Sequence, residues 1–208
     1  MTWKFSRLGN ITHVITKGTT PTTLGYEFTE RGIPFLRVQN IEEGKVFYER
    51  DTLFIDERTH KALSRSQIQP NDVLISIAGT IGRAGLVPQG IPFLNCNQAV
   101  AIVRPTREIF RPFLRHWLES SDAQRQMRVS TVTGTISNLS LYQLGNLEVP
   151  VPPLAEQRRI ADVLDRAEVL RAMRRTAITQ LDSLTQSLLP RPLRRHAEVY
   201  EVPATFTE

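Results

Sequence analysis

A single cysteine, Cys96, stands in 208 residues. One thiol excludes an internal disulfide and any zinc or iron–sulfur site that needs several cysteines. The four histidines, His13, His60, His116 and His196, are scattered and form no His-x-x-x-His metal pair. No stretch reaches the roughly 18 apolar residues of a membrane span. The opening Met1-Thr2-Trp3-Lys4-Phe5-Ser6-Arg7 carries no apolar signal core. The expected compartment is therefore a reducing cytoplasm. Lysine is scarce as well, with 4 Lys against 22 Arg in a chain of net charge +5. Basic excess favours an anionic partner, and the planar guanidinium grips phosphate or guanine in two places at once. Six of the arginines and no lysine fall between Arg104 and Arg128, which fits phosphate contact or a solvated helix face.

Enzyme signatures are absent too. Gly79-Thr80-Ile81-Gly82-Arg83-Ala84-Gly85 lacks the Gly-Lys-Ser/Thr of a phosphate-binding loop. No Gly-x-Gly-x-x-Gly follows a strand, and no Gly-x-Ser-x-Gly elbow occurs. Glu43-Gly44-Lys45, with Glu27 or Glu30 upstream, loosely matches a magnesium-dependent nuclease site. It reads more naturally as a polar turn between Asn40-Ile41 and a strand Val46-Phe47-Tyr48. Cys96 has no adjacent base to activate it and is expected to be a small buried hydrophobe.

What is present divides at Val149-Pro150-Val151-Pro152-Pro153, where prolines impose a stiff extended segment. Residues 1–149 read as a β-rich domain, residues 150–153 as a joint, residues 154–190 as one long helix and residues 191–208 as a tail. The overall class is α+β. Strands are expected over 33–41, 73–78 and 98–103, short helices over 56–63 and 112–120, and a glycine-punctuated loop around Arg83. In the long helix Ile160, Ala167, Arg174, Leu181 and Leu188 take heptad position a, while Val163, Leu170, Ala177 and Leu184 take d. Eight of these nine are apolar, the pattern of a coiled-coil seam, with Arg174 a polar interruption suited to fixing register. At 1.5 Å per residue the helix is about 50 Å long, too long to lie along one small domain.

Several segments together carry a resemblance. They are Lys17-Gly18-Thr19-Thr20-Pro21, the run Asp72-Val73-Leu74-Ile75-Ser76-Ile77-Ala78 into Gly79-Thr80-Ile81-Gly82-Arg83, and Asn97-Gln98-Ala99-Val100-Ala101-Ile102-Val103-Arg104-Pro105. Gly134-Thr135-Ile136-Ser137-Asn138-Leu139-Ser140 follows, then Leu147-Glu148-Val149-Pro150-Val151-Pro152-Pro153-Leu154-Ala155-Glu156-Gln157-Arg158-Arg159-Ile160-Ala161. Over roughly residues 1–190 the chain resembles the specificity (S) subunit of type I restriction–modification systems. The resemblance implies a target-recognition domain that reads duplex DNA and a helix that pairs antiparallel with a second helix. It implies methyltransferase (M) and restriction (R) subunits as partners. No metal or cofactor is implied on this chain; S-adenosylmethionine, ATP and magnesium belong to those partners, and the chain itself catalyses nothing. A typical S subunit carries two recognition domains and two helices, so one of each here implies a half-size form, natural or excised, completed by a second copy.

Base edges in the major groove show distinct donor and acceptor patterns, read by Arg forks at guanine and Asn or Gln at adenine. The candidate DNA-contacting residues are Lys17, Thr19 and Thr20 in the first loop, Arg37 and Gln39 on their strand, Arg83 in the glycine loop, and Thr133 and Thr135 around Gly134. Asn97 and Gln98 are expected to hold backbone within the fold. The rival from another class is a carbohydrate-type ligand-binding β domain on a coiled-coil stalk, which would favour exposed aromatics over the 7% found here.

Overall fold

A computed structural model describes residues 3–130 and 138–188. The chain divides into two compact units, Met1–Asp162 and Val163–Glu208. In the first unit the strands are β1 (Lys4–Arg7), β2 (Thr12–Lys17), β3 (Ile33–Leu36), β4 (Ile41–Glu42), β5 (Gly44–Val46), β6 (Leu53–Ile55), β7 (Gln67–Ile68), β8 (Val73–Ser76), β9 (Ala84–Leu86), β10 (Leu94–Cys96), β11 (Val100–Pro105) and β12 (Glu148–Val151). The helices are α1 (Glu57–Ala62), α2 (Arg111–Leu118), α3 (Ser121–Ser130), α4 (Leu141–Gly145) and α5 (Leu154–Leu188), the last crossing from the first unit into the second.

A six-stranded sheet of order β2-β11-β8-β9-β5-β4 forms the middle layer. Its central strands explain the unbroken apolar runs in the sequence, because both of their faces are covered. Val73, Ile75, Ala101 and Val103 pack under Leu114, Trp117, Leu118, Met127 and Leu144 from α2, α3 and α4. Leu74, Val100 and Ile102 face the other way, toward Leu36, Leu94 and Cys96, which belong to a four-stranded sheet of order β6-β3-β10-β7. Asp72 anchors this middle layer. It is 1% exposed, and its carboxylate accepts from Arg104 Nε at 2.7 Å and Nη2 at 2.8 Å. That bidentate pair raises the guanidinium's proton affinity further, chiefly through the hydrogen bond.

Three sequence expectations change. The strand expected over 33–41 is interrupted: β3 ends at Leu36 and Val38–Asn40 forms a 3-10 turn before β4. Asn40 causes the break, its Oδ1 accepting from Arg37 N–H at 2.9 Å and its Nδ2 donating to Arg50 O at 3.1 Å. A local side-chain bond has displaced the ladder. Arg37 and Gln39 therefore sit at a turn and not on a strand. Second, β11 begins at Val100, leaving Gln98 in the preceding turn. Third, the proline segment, expected as a stiff extended joint, also pairs as a strand, β12 running antiparallel to β1, Lys4 opposite Val151 through Arg7 opposite Glu148. The helices expected over 56–63 and 112–120 form as α1 and α2. Asp56 caps α1 by accepting from Thr59 N–H at 2.7 Å.

The first turns of α5 are part of the first unit's interior. Gln157 is fully buried. Its Oε1 accepts from Phe110 N–H at 2.7 Å, and its Nε2 donates to Glu108 O at 3.0 Å and Pro152 O at 2.8 Å. One amide thus satisfies three backbone groups at the root of the helix. Replacing it with leucine, Gln157→Leu, strands all three and is expected to cost about 3 kcal/mol. Arg159→Ala, which removes an exposed ion pair with Glu156, is expected to leave the denaturation midpoint unchanged. Urea unfolding followed by circular dichroism checks both.

Candidate nucleic-acid interface

Strand register brings the sequence candidates to one rim of the six-stranded sheet. Lys17 at the end of β2 lies opposite Ala101 near the start of β11, and Val100 lies opposite Ser76 at the end of β8. Ala84, opening β9, pairs with Ile75. The loops that follow Lys17 and Ser76 and the turn that precedes Val100 must therefore emerge together. The second sheet adds to the same rim. Cys96, ending β10, pairs in parallel with Leu36, and Asn97 N–H donates to Leu36 O at 3.0 Å, so Arg37 begins beside that turn.

Each loop has its own scaffold. The Lys17–Thr20 stretch is pinned against the end of β10, with Gly18 N–H donating to Val100 O at 3.0 Å and Thr19 N–H to Cys96 O at 3.2 Å. Only glycine permits this approach, because a Cβ at position 18 would lie 2.0 Å from Cys96 O. The glycine loop closes on buried Ser76, whose hydroxyl donates to Thr80 O at 2.5 Å and accepts from Arg83 N–H at 2.9 Å. Gly79 and Gly82 take φ of 72° and 90° to complete the turn. Gln124 of α3 braces it by donating to Gly82 O at 2.9 Å. The loop backbone is thus held while the Arg83 side chain is exposed.

Lys17, Thr19, Thr20 and Arg37 are half-buried; Gln39 and Arg83 are exposed. Arg37 Nη2 donates to Asp51 O at 3.0 Å. Its Nε is buried without a partner among the described residues. Thr133 and Thr135 lie outside the described residues, but residues just after that stretch join the rim. Asn138 bridges to Ala78, and Leu139 N–H donates to Ile77 O at 2.8 Å. The two residues expected to hold backbone, Asn97 and Gln98, differ in the structure. Asn97 does hold backbone, its Oδ1 accepting from Ala99 N–H at 3.2 Å, whereas Gln98 is exposed and its side chain meets the Thr20 hydroxyl.

Two of the six arginines between Arg104 and Arg128 are spent inside the fold. Arg104 holds Asp72, and Arg115, 5% exposed, reaches Glu119 at 3.4 Å while its guanidinium packs over Gly44. Both guanidiniums are engaged by carboxylates. Glu43 sits at the turn between β4 and β5 with φ of 49°, which is the turn the sequence suggests there. Cys96 is fully buried, and burial pushes its thiol up, out of the nucleophilic range. On α5 the seam residues differ along its length. Ile160 and Ala167 are half-buried, and Arg174 and Ala177 are exposed. Val163, Leu170, Leu181 and Leu184 are 58–66% exposed. The side chain of Leu188 is outside the described set. No described helix is long and apolar enough to cross a membrane.

Residues 1–181 match the family described as type I restriction modification DNA specificity domain. The chain belongs to this family. Among its relatives is the type I restriction enzyme EcoBI specificity subunit of Escherichia coli, 32% identical over 78% of this chain and 35% of that protein. The EcoKI specificity subunit of Escherichia coli strain K12 is 28% identical over 73% of this chain and 30% of that protein. This specificity-domain chain thus spans about a third of the length of those relatives. Solved structures agree in fold. One, of the type I R-M system in assembly and conformational transition, has a TM-score of 0.69 at 23% identity over 89% of this chain and 43% of that one. The HsdS subunit of Thermoanaerobacter tengcongensis gives 0.57 at 22% identity over 91% and 40%.

Proposed function

We propose that this chain is a non-catalytic, half-size specificity subunit of a cytoplasmic type I restriction–modification system. Its recognition domain reads one half-site of duplex DNA, and its helix pairs with a second copy to supply the other half. The observation that carries this reading is the convergence, in a chain of the specificity-domain family, of the Lys17–Thr20, Arg37–Gln39 and Ser76–Arg83 segments on one rim. Rigid backbone with exposed polar tips suits readout of base edges. The chemistry belongs to partner M and R subunits, which bring S-adenosylmethionine, ATP and magnesium; none is assigned to this chain.

Pairing is argued from the helix. Val163, Leu170, Leu181 and Leu184 are exposed on one heptad seam, and apolar surface repeated at that spacing calls for a matching helix. Antiparallel pairing of two such helices relates the copies by a two-fold axis, so each recognition domain reads the same half-site on opposite strands. The outer faces of the paired helices remain for M and R subunits.

Two outcomes test this reading. In light scattering at tens of micromolar the wild type should read twice the chain mass. The double variant Leu181→Glu with Leu184→Glu should read as a folded monomer, and a monomeric wild type contradicts the pairing. For base reading, Arg83→Ala should cost about 1–3 kcal/mol on a duplex selected from a random pool and relax one base position. An equal loss on selected and mixed-sequence duplexes removes Arg83 from base readout.

A further inference from the structure

We propose that Gln98, positioned by Thr20, seats a DNA phosphate on the rim and sets register without reading sequence; this rests on the DNA-binding reading above. The turn that carries Gln98 is among the most constrained on that rim. Asn97 N–H donates to Leu36 O at 3.0 Å, Val100 N–H to Asn97 O at 3.1 Å, and Ala99 N–H to Asn97 Oδ1 at 3.2 Å. Gly18 crosses it so closely that no side chain fits between. Such a turn has little freedom to adjust to different bases.

The amide is oriented as well. The Thr20 hydroxyl donates to Gln98 Oε1, which turns the carbonyl toward Thr20 and leaves the NH2 of this exposed side chain with no partner among the described residues. An adenine-reading amide must present an acceptor and a donor side by side. A phosphate oxygen asks only for donors, and donors fixed on a rigid turn are the kind of contact that positions a protein on the duplex. Thr20 is on this account a positioning residue and does not itself read a base.

The charges of the variants separate this role from the others. Gln98→Glu keeps an oxygen for the Thr20 hydroxyl, so a purely structural role survives it. It removes both donors and faces phosphate with a negative charge, so a phosphate seat does not survive. The probes are two labelled 40-base-pair duplexes, one selected from a random pool by the wild-type chain and one of mixed sequence, titrated with the full chain at several salt concentrations. Gln98→Ala should weaken both duplexes about equally, by about tenfold, as expected for one hydrogen bond to a charged group. Its salt slope should match wild type, because a neutral donor releases no counterion. Gln98→Glu should bind both more weakly still, and Thr20→Val should fall between Gln98→Ala and wild type, all with unchanged melting temperatures. Loss confined to the selected duplex makes Gln98 a base reader and overturns the proposal. So does Gln98→Glu binding like wild type, or a lowered melting temperature that accounts for the loss. If the wild-type chain binds neither duplex, the DNA-binding reading itself fails, and this inference with it.

Discussion

The structure turns on one buried amide. Gln157 sits at 0% exposure where the proline segment, the approach to α2 and the first turn of α5 meet, and it bonds a backbone group in each of the first two as it begins the third. A buried polar side chain is tolerated only when fully bonded. The site therefore dictates a glutamine, which alone offers both a donor pair and an acceptor at that reach. It also explains why the Pro-Pro-Leu-Ala-Glu-Gln run reads as a single motif. The prolines end β12, the antiparallel partner of β1, and four residues after the last of them the amide makes the helix root part of the interior.

The same economy shapes the rim. Each loop gathered there is held by buried or backbone contacts: Ser76 beneath the glycine loop, Gly18 against the end of β10, Asn40 at the Arg37 turn. The scaffold residues are small and buried, and the exposed side chains are those of Gln39, Arg83 and Gln98. That division lets loop tips vary while the sheet beneath is unchanged. Not all the positive charge serves the rim. Arg104, half-buried, and Arg115, buried, are paired with Asp72 and Glu119, so net charge overstates what is available to an anionic partner.

Much of the architecture was legible because it depends on local pattern. The buried runs of β8 and β11, the capped α1 and the long periodic α5 announce themselves by apolar spacing, turn residues and caps. What was illegible depends on distant partners. The strand role of the proline segment requires β1, which is 147 residues away at the Lys4–Val151 pair. The interruption after Leu36 depends on Asn40 finding Arg50 O as well as its own loop. Gln98 looked like a backbone-holding neighbour of Asn97 because nothing in sequence reveals that Thr20, 78 residues earlier, takes its carbonyl. Arg104 and Asp72 are likewise unremarkable until β8 and β11 pair.

On the proposed pairing, two recognition domains joined through helices of 35 residues, about 50 Å each, would hold their half-sites at a set separation. With about 34–36 Å per turn of B-DNA, the half-site centres fall between one and two turns apart, with unread bases between them. The most direct measurement is therefore binding to a palindromic pair of selected half-sites whose spacer is varied one base pair at a time. Each step rotates one half-site by about a tenth of a turn relative to the other. A rigid pair of copies predicts one spacer with sharp loss on either side, although no contacted base has changed. Affinity that stays flat across the series contradicts the paired-copy account.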